Sequence, residues 1–224
     1  MKARIIIIFT LLLSVSVSHA QTLKQWRDSL NVLNAQVARR PGAVDLCLNR
    51  AAVHLQLSNW EAAAEDCGTV LRKAPDNLSA LYYRAFAYNN LRRYNLAKND
   101  YEDFLKLSPR NMQAGLGLAY TYMQLGRHTD AMDRLNNLAE MYPDSSVVYA
   151  ARAGVEAEVK LYDAALYDWN EAVKREPSNK DYTISKVEIL LVLDRRTEAN
   201  AALDNAVRNG VPRGMLREWY QKCR

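Results

Sequence analysis

Between Leu81 and Leu105 the apolar residues fall into two helical stripes. Leu81, Ala85, Tyr88 and Leu91 recur at spacings of four and three, which places them on one face of a helix. Arg92 and Arg93 interrupt the stripe, and Tyr94, Ala97, Tyr101, Phe104 and Leu105 start a second one. Pro109 ends it, because proline has no N–H to donate and disfavours α geometry in the residue before it. Asn111, two residues later, suits the N-cap of a further helix.

The same sentence of residues returns. Pro41, Pro75, Pro109, Pro143 and Pro177 are spaced 34 residues apart. Alanine stands 12 residues before each downstream proline, at Ala63, Ala97, Ala131 and Ala165, and recurs at Ala199. A second small column, 24 before, holds Ala51, Ala85, Ala119 and Ala153, with Val187 in the last place. A bulky column, 8 before, reads Cys67, Tyr101, Leu135, Trp169 and Leu203. Four units follow, 44–77, 78–111, 112–145 and 146–179, and a looser fifth, 180–213. Each reads as two short helices joined by a tight turn, so the pair must run antiparallel. Ala85 and Ala97 lie equally far from the turn at Leu91, and their small side chains let the two backbones approach. One such hairpin cannot bury its apolar face alone, and stacked copies bury it for each other.

These columns resemble the tetratricopeptide repeat (TPR) family, whose period is 34. Ala85, Tyr88, Ala97, Tyr101 and Pro109 match its small, large and proline positions, and the first and third units match nearly as well. The fourth unit departs at Glu156, where Tyr88 and Tyr122 set an aromatic. The fifth has Val211 in the proline position, with Pro212 one residue late. The resemblance covers about 170 of the 224 residues. It implies an all-α chain, an α-α superhelix or solenoid of tandem antiparallel hairpins. The ends fit such an array: residues 21–43, with Trp26, Leu30, Leu33 and Val37, read as an N-terminal capping helix. Residues 214–224, with Leu216, Trp219 and Tyr220, read as a closing helix.

The first twenty residues stand apart. Lys2 and Arg4 precede an apolar run over 5–13, and Ser18-His19-Ala20 is a small-x-small close. The pattern predicts a signal peptide cut after Ala20 and an exported chain, in a periplasm, cell envelope or medium. The alternative is an uncleaved anchor, for which the apolar run is short of the roughly 20 residues a span requires. The formal charge of +5 includes Lys2 and Arg4; without them 28 basic residues face 25 acidic ones. So small and scattered an excess does not point to nucleic acid or a membrane surface.

Catalytic chemistry is hard to find. There is no HExxH, CxxC, GxSxG or glycine-rich phosphate loop. Glu65, Asp66, Asp100, Glu102 and Asp103 sit at helix-surface spacing and are expected to be solvated. His54 stands in the column of Tyr88 and Tyr122 and His128 in that of Trp60 and Tyr94, which makes them packing residues before metal ligands. The reading is therefore a non-enzyme with no cofactor and no metal. Cys47 and Cys67 each lie one turn from the alanine contact of the first hairpin and should face each other. An oxidising compartment would allow a disulfide between them, and two buried apolar thiols are the alternative. Cys223 is left over, expected free or frayed.

In the family the first helix of each unit lines a concave groove. The corresponding face here reads Leu48, Ala52 and Leu55; Tyr82, Phe86 and Asn89; Leu116, Tyr120 and Met123; Ala150, Gly154 and Ala157; Ile184, Glu188 and Leu191. The aromatics and methionine suit apolar anchors of a polypeptide partner, and the small fourth unit would leave a depression beside Ile184 and Leu191. Packing of these rings against adjacent repeats is the alternative. The cations of the family's terminal-carboxylate clamp are missing from the matching positions. The expectation is a scaffold or adaptor that binds a polypeptide in this groove, in envelope protein assembly or secretion. A homo-oligomer joined through Trp219 and Tyr220, or an accessory subunit of an envelope enzyme complex, are the other readings.

Overall fold

The computed structural model describes residues 23–224; the signal-like segment and the cut after Ala20 lie outside them. Among the described residues there is no strand. They form two compact bodies, 23–127 and His128–Arg224.

The first body holds α1 (Leu23–Arg39), α2 (Val44–Gln56), α3 (Trp60–Lys73), α4 (Leu78–Asn90), α5 (Tyr94–Leu107) and α6 (Met112–Gln124). Helix α2 packs on α3 and α4 on α5, and successive pairs stack through α3 on α4 and α5 on α6. The second body holds α7 (His128–Met141), α8 (Ser146–Glu158), α9 (Tyr162–Arg175), α10 (Lys180–Val192) and α11 (Arg196–Arg208). It ends in a 3-10 turn, Arg213–Leu216, and a short α12, Arg217–Lys222, where a single closing helix was expected. Here α8 packs on α9, α9 on α10 and α10 on α11. The fold is the all-α arrangement of consecutive helical pairs that the 34-residue columns imply.

The chemistry of each boundary explains the period. Asn77 and Asn111 accept hydrogen bonds from Ala80 N and Ala114 N, and Asn179 from Asp181 N and Tyr182 N. Each satisfies donors that the first turn of a helix leaves open. The alanine columns are sealed: Ala51, Ala63, Ala85, Ala97, Ala131, Ala153, Ala165 and Ala199 are fully buried. Tyr101 is also fully buried, and Gly117 of α6 makes room for it. A Cβ on Gly117 would stand 2.5 Å from Tyr101 Cζ.

Inside each hairpin the turn needs one left-handed residue. Ser58, Arg92, Gly126, Lys160 and Asp194 fill this place, at φ values of 58°, 59°, 71°, 64° and 55°. A side chain in that region costs about 1–2 kcal/mol, and glycine does not bear it. Lys160 is exposed, so Lys160→Gly should raise the melting temperature of the second body. Its gain is expected to be about 1 kcal/mol in chemical denaturation.

The capping helix α1 has no fully buried residue. Trp26, Leu30, Leu33 and Val37 are half-buried along the stripe that the spacing predicts, and α1 packs on α2. At the other end, Cys223 is not frayed. It is 4% exposed, inside the core cluster with Leu203, Val211 and Leu216. Trp219 and Tyr220 pack against that cluster. The Tyr220 hydroxyl donates to Asp204 Oδ1 at 2.6 Å, and Arg213 stacks on its ring at 4.3 Å. Among the described residues no helix is long and apolar enough to cross a membrane.

Candidate functional site

The ten expected groove residues divide by burial. In the first body Leu55, Phe86, Asn89 and Leu116 are buried, while Leu48, Tyr82, Tyr120 and Met123 are half-buried. Phe86 meets the ring of Trp60 edge-on, with centroids 5.8 Å apart. Asn89 accepts the Thr121 hydroxyl at 3.0 Å, which draws the amide inward against α6. Both therefore serve repeat-on-repeat packing, and the surface left for a partner is narrower than the sequence columns imply.

One ring of that surface is braced by its neighbours. Tyr82 sits edge-on against three rings, those of Tyr83, Tyr101 and Phe104, at 6.4, 5.9 and 6.0 Å. Burial, and then Tyr83, pushes its phenol above the usual range. The Tyr120 phenol is also raised, by burial first and then by Tyr94, with Arg92 opposing. Both hydroxyls stay neutral at physiological pH and can donate as well as accept. The same three helices expose Asn49, Gln56, Asn90 and Gln124. Apolar rings with neutral polar neighbours can take apolar side chains and backbone amides.

In the second body Ile184 and Leu191 of α10 are half-buried against the core cluster, with Glu188 exposed between them. Gly154 and Ala157 of α8 are half-buried, and Ala150 is fully buried.

Cys47 and Cys67 lie in one core cluster, 2% and 0% exposed, with free thiols. Burial, and then Asp66, pushes Cys67 up to about 12. Burial also raises Cys47. Neutral buried thiols are poor nucleophiles. His54 hydrogen-bonds Asn59 at 3.3 Å, and burial lowers its pKa. Among the described residues no three His, Cys, Asp or Glu side chains converge as metal ligands would.

The carboxylates require a correction. Asp66 and Asp100 are not solvated; they are 5% and 4% exposed. Each is held by an arginine from the facing helix through two hydrogen bonds. Arg50 Nε and Nη2 donate to Asp66 at 2.8 and 2.6 Å, and Arg84 grips Asp100 at 2.7 and 2.7 Å. Arg152 does the same to Asp168 at 2.6 and 2.8 Å. The signal was present as two columns, 25 and 9 residues before each proline. Charged residues are nearly always exposed unless paired, and the pairing makes burial feasible. The columns lapse twice, to Leu118 and Arg134 in the third unit and to Lys186 and Ala202 in the fifth.

Glu156, the odd residue of its column, follows from the same clasp. Arg84 lies over the Tyr88 ring at 5.9 Å. In the fourth unit Arg152 turns to Tyr149, at 5.6 Å, and Glu156 is buried beside Asp168. Its Oε2 has no hydrogen-bond partner. Burial first, and then Asp168, raises its carboxyl to about 7, against the opposing pull of Arg152. The folded state therefore binds this proton more tightly than the unfolded state. The resulting stability is complete below the ordinary value of 4.5 and is lost as pH rises through about 7. Urea unfolding of the second body should show wild type weakening from acid pH into the alkaline side of neutrality. Glu156→Gln should remove that loss and be more stable at alkaline pH by roughly 1–3 kcal/mol.

Comparison with known proteins agrees with this geometry. A tetratricopeptide repeat family model matches residues 91–154. None of the curated proteins matches significantly. Among solved structures, a tetratricopeptide repeat protein from Parabacteroides merdae superposes with a TM-score of 0.68 at 20% identity. The match covers 89% of this chain and 78% of that one. YrrB, described as a TPR protein with an unusual peptide-binding site, gives 0.60 at 17% identity over 80% of this chain and 92% of its own. A thermophilic TPR protein of Thermus thermophilus gives 0.62 at 21% identity over 81% and 98%. At such identities the structures speak to the fold, which is that of tetratricopeptide repeat proteins, and residues 91–154 match that family's model.

Proposed function

We propose that the chain is an exported scaffold that binds an extended or helical polypeptide on the first-helix faces of the 23–127 body. The observation that carries the reading is the set of partly exposed side chains Leu48, Tyr82, Tyr120 and Met123 on the first helices of three successive repeats. Large rings beside neutral polar groups are the composition of binding hot spots. The peptide-binding site ascribed to YrrB supports the class of partner. Export rests on the basic head, apolar run and small-residue close at the start of the chain. Such a compartment would also allow Cys47 and Cys67, free thiols in the structure, to bridge. Cell fractionation, with the mass of the chain read from each fraction, tests export; a full-length cytosolic species alone would refute it.

The groove is tested by crosslinking in the native compartment. Tyr120→Ala combined with Met123→Ala should lose wild-type partners while keeping its helical signal and melting temperature within a few degrees. Phe86→Ala serves as the contrasting variant, because its ring is buried against Trp60. It should cost about 3–5 kcal/mol of stability. Identical partners for wild type and the Tyr120/Met123 variant would sink the groove.

A further inference from the structure

The fifth unit breaks the arginine–aspartate clasp on one side only. Lys186 stands in the column of Arg50, Arg84 and Arg152, but Ala202 replaces the aspartate. A cavity of about 310 Å3 opens at this place, within the second body. It is lined by Thr183, Lys186 and Leu190 of α10, Leu166 and Asn170 of α9, and Ala202 of α11, among others.

Three observations give the cavity a chemistry. Lys186 is half-buried, and no described carboxylate oxygen lies within 4 Å of its Nζ. Glu198 and Arg195 also line the cavity, and Glu198 is already held by Arg195 through two hydrogen bonds, at 2.6 and 2.8 Å. Thr183, on the same helix one turn before Val187, is 1% exposed, and its hydroxyl has no partner. A buried donor left open carries a desolvation cost that a bound acceptor would relieve. Leu166 and Leu190 supply apolar walls for a short carbon chain.

We propose that this cavity binds a carboxylate, which stands in for the missing aspartate of the fifth clasp. One oxygen meets Lys186 Nζ and the other accepts from the Thr183 hydroxyl. The volume is at the low end for ligand pockets, which fits a short aliphatic acid or a single Asp or Glu side chain of a peptide. Burial lowers the Lys186 pKa, and Glu198 partly restores it. A carboxylate brought against it would return the charge to its ordinary strength. The site is separate from the groove on the first body and does not depend on it.

The test is an NMR titration of the full chain at low salt, following the methyls of Thr183 and Ala202. Three probes are compared: glutarate, a blocked peptide with one central glutamate, and neutral glutaramide. Saturable shifts with glutarate assign a small acid, and saturation by the peptide alone assigns an acidic side chain. Either supports the site. Ala202→Asp restores the clasp from within, so it should melt at or above wild type and bind at least about tenfold more weakly. Lys186→Gln should weaken binding to a similar degree without unfolding the body. No saturable shift from either acid, equal shifts from glutaramide, or unchanged binding in the Ala202→Asp chain would each overturn the assignment.

Discussion

Gly117→Ala should destabilise the 23–127 body by about 1–3 kcal/mol, the range for forcing extra atoms into a packed core. The added Cβ would come 2.5, 2.7 and 2.8 Å from Tyr101 Cζ, Cε1 and Oη. Those atoms belong to a stiff ring with no exposure, held by Tyr82 at 5.9 Å. The ring cannot swing aside, so α5 and α6 must part. Ordinarily alanine is the better helix former, by roughly 0.5–1 kcal/mol over glycine. Gly154 supplies that comparison, because nothing lies within 4 Å of a Cβ built there. Gly154→Ala should therefore stabilise. Opposite signs for one chemical change, measured by urea unfolding, isolate the contact with Tyr101. Combining Gly117→Ala with Tyr101→Leu should recover part of the loss, and purely additive effects would refute the steric account.

Asp100→Ala is expected to cost more, about 3–5 kcal/mol, because it strands a partly buried cation. The Arg84 and Asp100 side chains are 24% and 6% exposed, and two hydrogen bonds of 2.7 Å join them. Burial raises the Asp100 carboxyl while Arg84 pulls it down, so desolvation and attraction oppose each other within the pair. Their balance predicts that removing both charges is mild. Arg84→Leu with Asp100→Leu should recover most of what either single change loses. The third unit already carries a leucine in the arginine column, Leu118, which is 1% exposed. Surface pairs make the contrast. Arg93 and Glu61 also touch, at 2.5 Å, but their side chains are 48% and 54% exposed. Glu61→Ala should change stability by less than about 1 kcal/mol.

Much of the fold could be read before any coordinates. The alanine columns mark where backbones meet, and the proline and asparagine mark where one hairpin hands over to the next. Both signals are local, and both depend on residue type alone. The turn column was illegible because Ser58, Arg92, Lys160 and Asp194 carry no mark of left-handed geometry; only Gly126 does. The clasps were illegible for a different reason. An aspartate on a helix reads as solvated until its arginine, 16 residues away, is placed across from it. The groove was half legible. Residue type selected Phe86 and Tyr120 equally, but Trp60, on the preceding helix, takes one and leaves the other half-buried.

The three cysteines give the molecule a clock. Cys47 and Cys67 lie in the core of the first body and Cys223 in that of the second, none more than 4% exposed. Burial holds all three thiols in the protonated form. With the thiols kept reduced, an alkylating reagent reaches them only when their helices part, so each labelling rate counts openings of the body that holds it. A bound partner that steadies the first body would slow Cys67 while leaving Cys223 at its own pace. A carboxylate in the fifth-unit cavity would do the reverse.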